Sequence, residues 1–224
     1  MQPSVAILAG GLGTRLGPMT EQIPKALIRI GCEPFIFHQL RLLREADINR
    51  VVLCVGHLGD MICNAVGDGE KFGLNVAYAF DGTTLRGTAG AIKKALPQLG
   101  EHFFVLYGDS YLTCDFAQVK HAFEAAGKDG LMTVFRNQGQ FDSSNVEFRD
   151  GIILRYDKVN RTPAMQHIDY GLGLFRANAF MGVPDEHPSD LASVYQALLA
   201  AGRLAAFEVL DRFYEIGSLQ GIKD

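Results

Sequence analysis

The apolar run Val5-Ala6-Ile7-Leu8-Ala9 leads directly into Gly10-Gly11-Leu12-Gly13. A short run without polar alternation is the pattern of a strand buried on both faces, which occurs where helices cover both sides of a parallel sheet. Glycines at the end of such a strand permit positive φ and carry no side chains, so successive backbone N–H groups can converge on phosphate oxygens. A glycine turn after a buried strand can also be only a turn. Here Arg15 and the Pro24-Lys25 pair follow within a few residues and supply the charge that neutral amides lack.

The rest of the chain repeats the same alternation. Pro34 to Ala46 has helical spacing of its apolar residues, and Arg50 to Gly56 reads as a second buried strand. A short helix over Met61 to Val66, a strand over Leu74 to Phe80, a helix over Thr88 to Leu96 and a strand over Phe103 to Tyr107 follow, then a helix over Phe116 to Ala126. Strands alternating with helices predict an α/β fold: a Rossmann-like, mostly parallel sheet flanked by helices. After the boundary near Ala126 to Gly130 the pattern changes to Leu131–Phe135, Ser144–Phe148, Ile152–Tyr156 and Tyr170–Phe175, all strand-like, then a helix over Leu191 to Ala201 and a strand over Leu204 to Val209. A chain of 224 residues is short of the roughly 250–300 at which cores divide, so residues 1–224 are expected to form one domain, with a nucleotide-binding lobe at 1–126 and a smaller α+β lobe at 127–224.

Charge and cysteine content narrow the function. With 21 Lys+Arg against 25 Asp+Glu there is no basic surface for nucleic acid or an anionic membrane, so an anionic ligand must be held by a few placed groups. Cys32, Cys54, Cys63 and Cys114 are scattered, without metal-ligand spacing, and are expected to be reduced thiols. No leader or membrane span is expected, and the chain is expected to be cytoplasmic. A P-loop would need Gly-Lys-Ser/Thr where this loop has none, and the dinucleotide fingerprint fails at Leu16 and lacks its acidic partner on a second strand.

The segment Gly10-Gly11-Leu12-Gly13-Thr14-Arg15-Leu16, with Pro18, Thr20 and Pro24-Lys25, resembles the signature of the sugar-1-phosphate nucleotidyltransferases, the sugar-nucleotide pyrophosphorylases. Further segments similar to the family follow in order: Gly67 to Leu74, Leu85 to Ile92, Phe104 to Ser110, Asp157-Lys158 and Tyr214 to Gly217. With no C-terminal β-helix expected, the chain looks like the short bacterial members that activate heptose, mannose or N-acetylmuramate.

The resemblance implies in-line attack of a sugar-1-phosphate oxygen on the α-phosphorus of an NTP, with Mg²⁺ as cofactor and pyrophosphate released. Arg15, Lys25 and Asp109 are the implied catalytic residues, and Asp109 with Glu215 the implied metal ligands. Family members usually have Asp where this chain has Glu215, so Asp211 is held in reserve. The nucleotide is implied to contact Leu8, Ala9, Gly10, Gly11, Gly13, Thr14, Asp81, Gly87 and Thr88, and the sugar Ser144, Asn145, Asp157, Lys158, Asp169 and Gly171. A carboxylate at Asp81 could accept from two N–H groups of guanine or from one of uracil. GTP with mannose- or heptose-1-phosphate is the expected pair. Alternatives are uridylyl transfer to an amino sugar or N-acetylmuramate-1-phosphate, cytidylyl transfer to a phosphocholine-type acceptor, and a non-catalytic nucleotide-binding regulator. A monomer or homodimer is expected.

Overall fold

The computed structural model describes residues 2–82 and 84–224. In chain order it contains β1 (Ser4–Leu8), β2 (Arg29–Ile30), β3 (Glu33–Pro34), α1 (Phe35–Glu45), β4 (Arg50–Val55), α2 (Gly59–Val66), β5 (Asn75–Phe80), α3 (Gly87–Leu99), β6 (His102–Tyr107), β7 (Ser110–Leu112) and α4 (Phe116–Ala126). Then come β8 (Gly130–Phe135), β9 (Val146–Arg149), β10 (Ile152–Tyr156), β11 (Ile168–Arg176), α5 (Leu191–Ala200), β12 (Leu204–Val209), β13 (Phe213–Glu215) and α6 (Leu219–Lys223). Among the described residues no helix is long and apolar enough to cross a membrane.

One seven-stranded sheet, ordered β12-β8-β11-β6-β1-β4-β5, carries the fold. Its strands are parallel except β11, which runs antiparallel to both β6 and β8. The sheet passes without a break across the Ala126–Gly130 boundary: β8, β11 and β12 extend the sheet begun by β1, β4, β5 and β6, and only short pairs such as β9-β10 and β7-β13 lie outside it. Alternation along β1 explains why its sequence is apolar throughout. Val5 and Ile7 pack with α1, α2 and α4 on one face, while Ala6 packs with α3 and α5 on the other. Phe104 of β6 meets Phe116 of α4 edge to face at 5.3 Å, a buried aromatic pair worth about 0.5–1.5 kcal/mol beyond its area.

From β1 the chain moves outward to β4 and β5, then returns to β6 on the other side of β1. A crevice opens at the carboxyl ends of strands where the winding reverses in this way. The glycine loop after β1 and the Gly108-Asp109 turn after β6 both end there, with Leu8 opposite Tyr107 in the ladder. Several boundaries differ from the sequence pattern. Helix α2 begins at Gly59, two residues before Met61, because the chain turns at Leu58 with φ +55°. Strand β9 begins at Val146, so Ser144 and Asn145 lie in the loop before it.

Candidate functional site

Two adjoining cavities occupy the crevice. The first, about 240 Å³, is lined by Leu8, Ala9, Gly10 and Gly11 from the loop after β1, by Lys25, by Asp81 after β5, and by Gly87 and Thr88 at the start of α3. The second, about 330 Å³, is lined by Arg15, Asn145, Lys158, Asp169, Gly171 and Glu215. Tyr107 and Asp109 line both, so Asp109 stands at the junction.

The nucleotide-side residues meet because glycines let backbones approach. A Cβ on Gly10 would come within 3.0 Å of the Gly56 nitrogen, and one on Gly56 within 2.9 Å of the Gly10 carbonyl and 3.0 Å of Asp81 Oδ2. Gly56 reads in the sequence only as the end of a strand; its place behind the first glycine loop is a property of the β1-β4 pairing. Asp81 is 5% exposed. Burial raises its carboxyl above the ordinary range, partly offset by the Arg86 N–H and the charges of Lys94 and Arg86. Gly13 and Thr14 lie outside the cavity lining. The Gly13 carbonyl instead accepts from the Thr20 hydroxyl at 3.0 Å, closing the loop upon itself. Thr88 Oγ1 accepts the Leu191 N–H at 2.7 Å and ties the start of α5 to the start of α3.

At the junction Lys25 Nζ donates to Asp109 Oδ2 at 2.9 Å. The pairing of β13 with β7 sets Glu215 opposite Ser110, and the Ile216 N–H donates to the Asp109 carbonyl at 2.9 Å. Glu215 therefore reaches the same place as Asp109: a Cβ on Gly217 would meet Glu215 Oε2 at 2.8 Å, Asp109 Oδ2 at 3.0 Å and Arg15 Nη2 at 3.2 Å. The Glu215 carboxylate also accepts from the Gly217 N–H and the Ser218 hydroxyl, which fixes its position. Two carboxylates so close suit Mg²⁺, which takes one or two protein carboxylates and completes its shell with water and substrate phosphates. Among the described residues there is no cluster of three or more His, Cys, Asp or Glu side chains that could enclose a metal. Asp211 lines neither cavity.

The sugar side departs from expectation at three residues. Asp157 turns away: its Oδ1 accepts the Val159 and Asn160 N–H groups at 2.8 and 2.7 Å and shapes the loop that carries Lys158. Ser144 lines the neighbouring open cleft, its Oγ accepting from Asn137 Nδ2 at 3.1 Å. Asp169 lines the cavity but has its carboxylate engaged, accepting from Tyr107 and Tyr156 hydroxyls at 3.0 and 3.2 Å and from the Gly171 N–H at 3.1 Å. Burial pushes its carboxyl up, opposed by Lys158 and these donors. The register shift of β11 between Asp169 and Gly173, with Gly171 at φ +98°, turns this stretch of strand toward the cavity. Tyr107, Ser143 and Arg161 also line this wall; Tyr107 ends the apolar strand of a family-like segment, whereas nothing in the sequence context of Ser143 and Arg161 separates them from surface residues.

The family model for nucleotidyl transferases matches residues 4–144. The chain is 28% identical over 217 residues to a mannose-1-phosphate guanylyltransferase catalytic subunit beta from Xenopus tropicalis, covering 94% of this chain and 60% of that protein. It is 27% identical over 224 residues to an N-acetylmuramate alpha-1-phosphate uridylyltransferase from Neisseria meningitidis, covering 97% and 94%. It thus spans about 60% of the length of the guanylyltransferase relative and nearly all of the uridylyltransferase. The crystal structure of a putative glucose-1-phosphate thymidylyltransferase from Bacillus anthracis superposes with a TM-score of 0.85 at 20% identity, covering 100% of this chain and 93% of that one, and shows the same fold.

Proposed function

The chain belongs to the nucleotidyl transferase family, and from that premise we propose that it transfers a nucleoside monophosphate from an NTP to a sugar-1-phosphate. An oxygen of the sugar phosphate attacks the α-phosphorus, the bond from that phosphorus to the β-phosphate oxygen breaks, and pyrophosphate leaves with the bonding electrons. The nucleophile is already an anion, so no general base or covalent enzyme intermediate is required; alignment and charge neutralisation suffice.

The observation that carries this reading is the junction itself. The two cavities adjoin at Asp109, where Lys25, Arg15 and Glu215 converge. We assign residues 1–126 mainly to the nucleotide and 127–224 mainly to the sugar. Lys25 neutralises the reacting phosphates and Arg15 the charge growing on pyrophosphate. A divalent cation, Mg²⁺ by expectation, would be held by Asp109 and Glu215 and would supply further neutralisation of phosphate charge. Dependence on an NTP supports the cytoplasmic setting.

For the base we propose guanine: the Asp81 carboxylate, lining the first cavity, can accept two parallel N–H bonds from guanine and only one from uracil. Mannose- or heptose-1-phosphate is the corresponding acceptor. A second reading, uridylyl transfer to N-acetylmuramate-1-phosphate, is favoured by the near-complete mutual coverage with the N. meningitidis relative. Pyrophosphate release with GTP, UTP, CTP and dTTP against a panel of sugar-1-phosphates tests both, and no release with any pair removes the catalytic reading.

A further inference from the structure

Helix α1 buries Phe35, Ile36, Gln39, Leu40 and Leu43, and Gln39 is the one polar side chain of that face. It is fully buried. Its Nε2 donates to the Tyr107 carbonyl at 3.0 Å and to the Ser110 carbonyl at 2.8 Å. Only the nitrogen of an amide can serve two carbonyl oxygens, so its partners fix the orientation of the side chain. Gln39 Oε1 is buried without a hydrogen-bond partner among the described residues. A buried acceptor lacking a donor destabilises a fold, and an aliphatic residue at this position would carry no such group. Packing of α1 against the sheet therefore gives no reason for an amide here; the two carbonyls do.

Those carbonyls flank Asp109. Tyr107 ends β6 and Ser110 begins β7, and the turn between them borders both cavities: Tyr107, Gly108 and Asp109 line the first, and Tyr107, Asp109 and Ser110 the second. Gln39 reaches this turn from the core. Two further bonds hold it, since the Gly108 N–H donates to the Leu8 carbonyl at 3.1 Å and the Asp109 carbonyl accepts the Ile216 N–H at 2.9 Å. The same helix supports the Lys25 segment. The Phe35 N–H at its start donates to the Ile28 carbonyl at 2.9 Å, and the Ile28 N–H donates to the Lys25 carbonyl at 3.0 Å. Helix α1 is thus common ground for Lys25 and Asp109, whose side chains meet at the junction, and Gln39 is its hydrogen-bonded link to the Asp109 turn.

We infer that Gln39 is a positioning residue for nucleotidyl transfer: by bridging the backbone on either side of Asp109 it holds that carboxylate where a divalent cation and Lys25 meet it. The inference rests on the nucleotidyltransferase reading. Groups that orient a metal-binding side chain without touching the ion alter metal affinity or activity by about 10–100-fold when removed.

Gln39→Met keeps the length of the side chain and removes both donors. Mn²⁺ binding is measured by calorimetry without nucleotide, and pyrophosphate release by steady-state kinetics, each well below the melting temperature of the variant. Gln39→Met should weaken Mn²⁺ binding and lower kcat, each by about tenfold, with KM for the sugar-1-phosphate within about twofold of the wild type. Leu43→Ala, at a fully buried position of the same helix, is the control: it should lower Tm but leave the Mn²⁺ dissociation constant and kcat within about twofold. Should Gln39→Met not fold, Gln39→Asn carries the same expectation, because the shorter amide cannot reach both carbonyls. Wild-type Mn²⁺ affinity and kcat in the Gln39 variant overturn the inference, as does an equal loss of both in Leu43→Ala, which would assign the effect to the helix as a whole. No pyrophosphate release by the wild type with any pair would overturn nucleotidyl transfer, and the Mn²⁺ comparison would still decide whether Gln39 places Asp109. A wild type that neither turns over nor binds Mn²⁺ overturns both.

Discussion

Lys25 Nζ and Asp109 Oδ2 lie 2.9 Å apart at the junction of the two cavities, joined across 84 positions of sequence. Both side chains are about three-quarters or more buried, at 17% and 27% exposure, so the pair is partly shielded from water. The ammonium therefore holds an oxygen that a divalent cation would also claim. Lys25→Met should have opposite effects on two measurements. Mn²⁺ binding without nucleotide, followed by calorimetry, should tighten because the competing cation is gone. Turnover should fall by ~10²-fold or more because charge on the reacting phosphates is no longer offset. Unchanged or weaker Mn²⁺ binding would mean that Lys25 does not compete for Asp109.

Arg15 is exposed and makes no side-chain hydrogen bond or ion pair among the described residues, so it contributes little to folding. Arg15→Ala should leave stability within about 0.5 kcal/mol while lowering kcat by ~10²-fold. Steady-state kinetics beside thermal melting separate the two, and wild-type turnover in the variant would remove Arg15 from the site.

Gly217 offers a test of geometry without removal of any charged group. A Cβ there would press on Glu215 Oε2, Asp109 Oδ2 and Arg15 Nη2, all ends of side chains that can shift. Gly217→Ala should cost about tenfold or more in kcat through displacement of these groups, with Tm altered by no more than ~4 °C. A fully active Gly217→Ala enzyme would show that the three groups need not hold this arrangement.

Asp81 links base selection to pH. Its carboxyl is raised above the ordinary value of 3.8, first by burial. A raised carboxyl destabilises the fold only when it ionises, so the cost is absent at low pH, grows from about pH 3.8 up to the raised value, and is constant above it. Asp81→Asn, which cannot ionise, should therefore gain in Tm over the wild type as pH rises through that window, with no gain at its acid end. The same variant should change the NTP preference in pyrophosphate release. A Tm difference independent of pH would show that burial does not penalise the charge, and an unchanged NTP profile would leave Asp81 as a turn residue.

Local sequence carried much of this protein. The run from Val5 to Ala9 and the glycines after it specify a buried strand and a turn through effects that act over a few residues: apolar burial on both faces and freedom of φ. The alternation of strand and helix up to Ala126 follows from periodicity in the same way, whereas Lys25, Asp109 and Lys158 are pointed to by the resemblance of their segments to a family. Other features depend on pairing between distant segments. Glu215 stands beside Asp109 because β13 pairs with β7, and Gly56 lies beside Asp81 because β4 pairs with β5. The loop of Asp157 claims that carboxylate for its own N–H groups, and two tyrosines and a glycine N–H bond to Asp169, so both carboxylates expected at the sugar already have partners within the protein. Sequence determined which groups carry charge and where strands turn; the tertiary structure alone decided which of those groups remain free to meet a ligand, since a carboxylate already satisfied by the protein's own donors has little left to offer a substrate.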